Sequence, residues 1–115
     1  MDNETIPLDT SNNSDDKPLY LISLLNNELM SSSWKLKLND YNIGRSSDNN
    51  IILDDITVSR KHASISVTSK NVKITDNNST NGIYINNEIK NNYELKSGDK
   101  IQIGKYLLLF TEVDK

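Results

Sequence analysis

Residues 63–85 run ASISVTSKNVKITDNNSTNGIYI, and the spacing of their apolar side chains decides the fold class. Ala63, Ile65 and Val67 alternate with Ser64, Ser66 and Thr68; Val72 and Ile74 flank Lys73; Ile83 and Ile85 flank Tyr84. In an extended chain every second side chain shares a face, so each run sets one face against a core and the other in water. Asp76-Asn77-Asn78 separates two of the runs with residues that favour turns.

The same pattern extends outward in both directions. Trp34, Leu36 and Leu38 alternate with Ser33, Lys35 and Lys37, and Ile101 and Ile103 flank Gln102. Leu19 to Leu25 and Tyr106 to Phe110 are unbroken apolar runs, the pattern expected of strands covered on both faces. Turns are expected at Asn26-Asn27, Asn39-Asp40, Ser47 to Asn50, Asn86-Asn87 and Ser97-Gly98-Asp99. Asparagine is frequent, and some of it is expected in turns, where Asn tolerates positive φ. No stretch sustains the i, i+3, i+4, i+7 spacing of an amphipathic helix. The fold expected is all-β, with two packed sheets.

The chain has 115 residues, room for one domain. That domain is expected over 18–112. Residues 1–17, MDNETIPLDTSNNSDDK, are acidic and nearly free of large apolar groups, so a disordered tail is expected there. With no cysteine and a single histidine, thiol catalysis, disulfides and zinc sites are not expected, and neither a metal nor a cofactor is called for. A net charge of -3 argues against a general nucleic-acid binder, which needs many Lys/Arg–phosphate contacts, so any anion site must be local. No run approaches the ~18 apolar residues of a membrane span, and the first residues lack the basic and apolar regions of a secretory signal. A soluble, cytoplasmic monomer is expected.

Four stretches suit neither a plain strand nor a plain turn: Gly44-Arg45-Ser46, Ser59-Arg60-Lys61-His62, Ser79-Thr80-Asn81-Gly82, and Asn86. Each lies at or beside a strand end, where loops of a sandwich can converge. Arg45 offers a planar fork that matches a phosphate bidentately. Ser59 and Thr80 offer hydroxyl donors, and the amide of Asn81 suits the backbone of an extended peptide. Backbone N–H groups around Arg60 are suited to complete an anion nest, and Arg60 and Lys61 add positive field. Ser59 and His62 with Asp54 or Asp55 could suggest a hydrolase, but a Ser and a His three apart at a strand entrance do not set Oγ against the imidazole, and no oxyanion loop is visible. No enzyme is expected.

In order and spacing, G-R at 44–45, S-x-x-H at 59–62, T-N-G at 80–82 and Asn86 resemble the signature of the forkhead-associated (FHA) domain family, and the likeness covers Pro18 to Phe110. The resemblance implies an eleven-stranded, mostly antiparallel β-sandwich that binds phosphothreonine peptides through loops at one end, with a Ser/Thr kinase acting upstream. It implies that Arg45, Ser59 and Thr80 hold the phosphate while Asn81, with Arg60, grips the peptide main chain. Gly44, His62, Gly82 and Asn86 are implied as structural: Gly44 and Gly82 for sharp turns, His62 as a buried brace, Asn86 as a tie between loops. Ser46 reads as accessory donor or turn residue, and Thr57 occupies the position that in several members meets the side chain three residues after the phosphothreonine. A sandwich that keeps the fold without the ligand is the alternative, against which the intact residue set argues. Thr5, in Glu4-Thr5-Ile6-Pro7-Leu8, is a candidate phosphosite that would occupy the site from the chain's own tail; Thr10 is a weaker one.

Overall fold

The computed structural model describes residues 19–26 and 29–113. The expected tail, with Thr5 and Thr10, lies outside them. Eleven strands and no helix are found among the described residues. In chain order they are β1 (Leu19–Asn26), β2 (Leu29–Leu36), β3 (Asn39–Gly44), β4 (Ile51–Ile52), β5 (Ala63–Val67), β6 (Val72–Asp76), β7 (Ile83–Ile85), β8 (Glu88–Lys90), β9 (Asn92–Glu94), β10 (Lys100–Ile103) and β11 (Tyr106–Val113). A six-stranded sheet has the order β2-β1-β11-β10-β7-β8, and a five-stranded sheet the order β9-β6-β5-β3-β4. Every pairing is antiparallel except β3 with β4, where Ile43 and Gly44 lie beside Ile51 and Ile52.

The alternating runs supply the core. Ile43, Ala63, Ile65, Val72 and Ile74 from one sheet are buried, as are Ile22, Leu36, Ile83, Ile101 and Leu108 from the other. Tyr20 and Phe110 stack within it, ring centroids 5.4 Å apart. Burying one such aliphatic side chain stabilises the fold by about 1.5–3 kcal/mol, so these inward faces dominate the folding energy.

Two sequence expectations change. The apolar runs of β1 and β11 are not covered on both faces: Ile22, Leu108 and Phe110 are buried, whereas Leu107 is 36% exposed and Leu21 and Leu109 are half-buried. The outward leucines are partly covered by lateral neighbours, since Leu107 stands opposite Leu25 and Thr111 opposite Leu21. Asn39-Asp40 is not a turn but the start of β3, opposite Val67 and Ser66. The chain bends earlier, at Lys37 and Leu38, where the Tyr41 hydroxyl accepts from Lys37 N–H (2.8 Å) and donates to its carbonyl (3.1 Å).

Asn86 and Asn87, both at positive φ (51° and 73°), form the two-residue turn between β7 and β8, a conformation that matches the twist of the flanking strands. The Asn86 amide donates to Asp99 Oδ1 (2.9 Å) and its oxygen accepts from Lys100 N–H (3.0 Å), tying the turn to the start of β10.

Adjacent residues on β11 test the inside–outside assignment. Leu108→Ala should cost about 2–5 kcal/mol by loss of packing, whereas Leu107→Ala should stay within about 0.5 kcal/mol. Urea unfolding midpoints of the two variants check this.

Candidate functional site

Arg45 follows the last residue of β3, and its N–H donates to the Ser59 carbonyl (3.0 Å). Next to it, the Arg60 carbonyl accepts from Ser46 N–H (3.3 Å) and from Asn49 Nδ2 (2.8 Å), and Asn49 Nδ2 also reaches the Ser46 carbonyl (2.8 Å). The loops after β3 and before β5 are thus joined side by side through backbone. Gly44 makes this approach possible, which corrects the expectation of a sharp turn: its φ is not positive. A Cβ there would lie 2.8 Å from both the Arg60 carbonyl carbon and Asn49 Nδ2, and closer still to the Arg60 oxygen. Gly82, by contrast, does have positive φ (77°).

The loop between β6 and β7 is joined on by His62, which is completely buried. Its Nδ1 accepts from Ser59 N–H (3.0 Å), so the ring proton sits on Nε2 and is donated to the Gly82 carbonyl (2.8 Å). Two further bonds cross the same gap: Thr80 N–H to Ser59 Oγ (3.1 Å) and Asn81 Nδ2 to the Thr57 carbonyl (2.9 Å). The loop is also braced internally, because Ser79 Oγ donates to Asp76 Oδ1 (2.5 Å) and accepts from Gly82 N–H (2.8 Å).

The three loops surround a shallow cavity of about 300 Å³ that Arg45, Ser59, Arg60, Thr80 and Asn81 line together. Arg45 Nε donates to the Val58 carbonyl (2.9 Å), which fixes the guanidinium plane. Its two terminal nitrogens, the Thr80 hydroxyl and the Arg60 N–H bond no described residue. Ser59 Oγ accepts from Thr80, which leaves its own proton to donate. Asn81 keeps its amide oxygen and one amide proton. The unengaged groups are mostly donors with a fixed cation, a set suited to an anion rich in acceptor oxygens.

Not every expected residue joins the cavity. The Ser46 hydroxyl donates to Asp48 Oδ1 (2.6 Å) and the Lys61 ammonium to Asp48 Oδ2 (3.0 Å), and neither residue lines the cavity. These two bonds hold the Asp48 carboxyl below its usual range, the Ser46 bond contributing most. Thr57 lines the cavity, but its hydroxyl donates to Asp55 Oδ2 (2.5 Å) and accepts from Lys105 N–H (3.0 Å). Asn86 stands apart, in the β7–β8 turn. Ile56, on the cavity rim and 90% exposed, was not singled out by the sequence, although an isoleucine in a polar loop was a signal. Asn49 was missed too, because nothing distinguishes it from the turn-forming asparagines around it.

Comparison with known proteins places the chain in a family. The model of the FHA domain matches residues 41–104, and the chain belongs to that family. It is 46% identical over 72 residues to an oxoglutarate dehydrogenase inhibitor from Corynebacterium jeikeium, a match covering 63% of this chain and 50% of that protein. It is 43% identical over 67 residues to the glycogen accumulation regulator GarA of Mycobacterium tuberculosis, covering 58% of this chain and 41% of that one. The chain thus spans about half the length of the inhibitor and less of GarA. Among solved structures, a chain from a structural and functional analysis of phosphothreonine-dependent FHA domain interactions superposes with a TM-score of 0.78 at 27% identity, over 84% of this chain and 99% of that chain.

Gly44→Ala should lower stability by about 1–3 kcal/mol, since the added methyl group meets backbone that cannot give way; a shifted urea midpoint checks it. Asp55 supplies a pH dependence. The Thr57 hydroxyl first, then the Thr57 N–H, with help from the Lys105 ammonium, hold the Asp55 carboxyl down to about 2 against the opposing effect of its partial burial. Unfolded Asp titrates near ~3.9, so the folded state is favoured by the ionised form. This contribution is fully present above about pH 5 and is lost as pH falls through about 2. Asp55→Asn should flatten the fall in unfolding midpoint between about pH 5 and pH 2, relative to the parent.

Proposed function

We propose that this chain is a non-catalytic reader of phosphothreonine, in which Arg45, Ser59 and Thr80 hold the phosphate and Asn81, with the Arg60 backbone, holds the ligand main chain. The observation that carries the reading is the convergence of a fixed guanidinium and two hydroxyls on one open cavity, with their donating atoms unengaged. A phosphothreonine carries about -1.5 to -2 charge and three acceptor oxygens, which those donors complement. The ligand is a threonine-phosphorylated partner protein, made by a Ser/Thr kinase acting upstream in the cytoplasm. Membership of the FHA family and the regulator and inhibitor names of the relatives support a role in control of other proteins.

The hydrogen bonds around His62 argue against the hydrolase alternative. Ser59 meets the imidazole through its backbone N–H rather than Oγ, and both ring nitrogens are already engaged. A general base needs a free nitrogen within reach of the nucleophile's proton.

Calorimetric titration with matched threonine and phosphothreonine peptides tests the reading, with binding of the phosphorylated form only as the expected result. Arg45→Ala removes one partner of a charged pair and should cost about 2–5 kcal/mol, a loss of about thirtyfold or more in affinity. Equal binding of the two peptides, or an Arg45→Ala variant that binds like the parent, would overturn it.

A further inference from the structure

The phosphate cavity does not end at Asn81. It shares Thr57 and Asn81 with a second depression of about 320 Å³, whose far wall is Tyr84 and Gln102. That depression in turn shares Tyr84 and Gln102 with a third, of about 390 Å³, bounded by Lys100 and Leu107. Together they form one furrow that leaves the loop end and crosses the outer face of the six-stranded sheet.

Strand register explains the continuity. Tyr84 on β7 stands opposite Gln102 on β10, which stands opposite Leu107 on β11. The three side chains form a row across three strands, about 10 Å long at ~4.8 Å per strand. Tyr84 is 38% and Leu107 36% exposed, and Ile89, opposite Tyr84 on β8, is 61% exposed. A single exposed apolar residue means little, but Ile89 and Tyr84 side by side, with Leu107 on the far side of the polar Gln102, make a largely apolar band on one sheet face, and such a band marks a contact surface. Beside the row, Lys100 has no ion-pair partner among the described residues, whereas Lys105, nearer the loops, is paired with Asp55 at 3.2 Å. The furrow therefore runs from the cationic cavity over a row in which the polar Gln102 separates apolar Tyr84 and Leu107, to a second, unpaired cation.

We infer that this furrow seats the polypeptide flanking the phosphothreonine. The ligand is an extended phosphopeptide with an apolar side chain on Tyr84 and Leu107 and an acidic side chain at Lys100. The inference rests on the phosphothreonine reading of the Arg45 cavity. Continuity makes the occupant part of the same ligand: Asn81 lines both of the first two depressions and still has a side-chain amide proton and oxygen to offer to a ligand main chain. Charge makes it acidic, since Lys100 alone lacks a counter-ion there. The furrow crosses the strands rather than following a sheet edge, so recognition is through side chains and not by strand addition. About three residues of extended chain, at ~3.4 Å each, span the row.

The experiment is a selection from peptides with a fixed phosphothreonine and about eight randomised residues on each side, enough to run past the row. The winning sequence is then synthesised with full flanks and with flanks of about three residues, each with and without phosphate. Selection of an apolar and an acidic residue beyond the third position is expected, with the long phosphopeptide binding about tenfold tighter than the short one, a difference of about 1.4 kcal/mol. Tyr84→Ala and Lys100→Glu should each remove most of that advantage and leave short-peptide affinity unchanged; the Lys100 effect should shrink in high salt. Equal binding of long and short phosphopeptides, or no selection beyond the third position, overturns the furrow alone. Failure of both lengths to prefer phosphate overturns the phosphothreonine reading itself.

Discussion

One buried imidazole holds the site together. His62 accepts from the Ser59 backbone and donates to the Gly82 carbonyl, so a single ring with one possible proton position spans the two loops that carry the hydroxyls. Removing it would leave a donor and an acceptor unpaired in the interior, at about 1–3 kcal/mol for each group left unsatisfied. The Thr80 to Ser59 and Asn81 to Thr57 bonds span the same gap nearer the surface, where water competes for them. They therefore depend on the spacing that the imidazole sets.

The polar residues of this end of the sandwich divide by what they bond. Ser46, Asp48, Asp55, Thr57, Lys61, Asp76 and Ser79 are engaged with one another or with nearby backbone, and shape the loops. Arg45, Ser59, Thr80 and Asn81 are held by backbone contacts but keep donors toward the cavity. This is preorganisation: the donors are oriented before a ligand arrives, so less ordering entropy opposes binding. The protein carries a net charge of -3, yet the cavity is cationic because the neighbouring carboxylates of Asp48 and Asp55 already have partners.

The sheets serve the site by rigidity. The close joining of the loops after β3 and before β5 continues the β3–β5 ladder beyond its last paired residues, Ile43 and Ala63. Gly44 lets this happen by bringing no Cβ to a place the Arg60 backbone occupies. The β7 strand that follows Gly82 carries the chain onto the other sheet, which is why the outer face of that sheet adjoins the cavity at Tyr84.

Much of this was legible in the sequence. Alternation at 63–67, 72–74, 83–85 and 101–103 has a period set by the extended backbone itself, so those inward faces could be read directly. The loop motifs were legible as unusual residues at fixed spacing, and Asn86 and Asn87 as residues that tolerate positive φ. Tertiary structure alone decided the rest. The strands β4, β8 and β9 show no alternation of apolar residues, since β4 is two adjacent isoleucines and β8 and β9 hold one apolar or aromatic residue each, and they exist because a neighbouring ladder offers them partners. Whether the second face of β1 and β11 is covered depends on the other layer, which composition does not reveal. Ser46 and Ser59 are the same residue type in similar loops, and only the position of Asp48 beside one, and of the open cavity beside the other, separates a hydroxyl used up in bracing from one left with a proton to donate. Local chemistry travels with the chain; which groups meet, and which are left free to bind, is set by contacts between residues far apart in it.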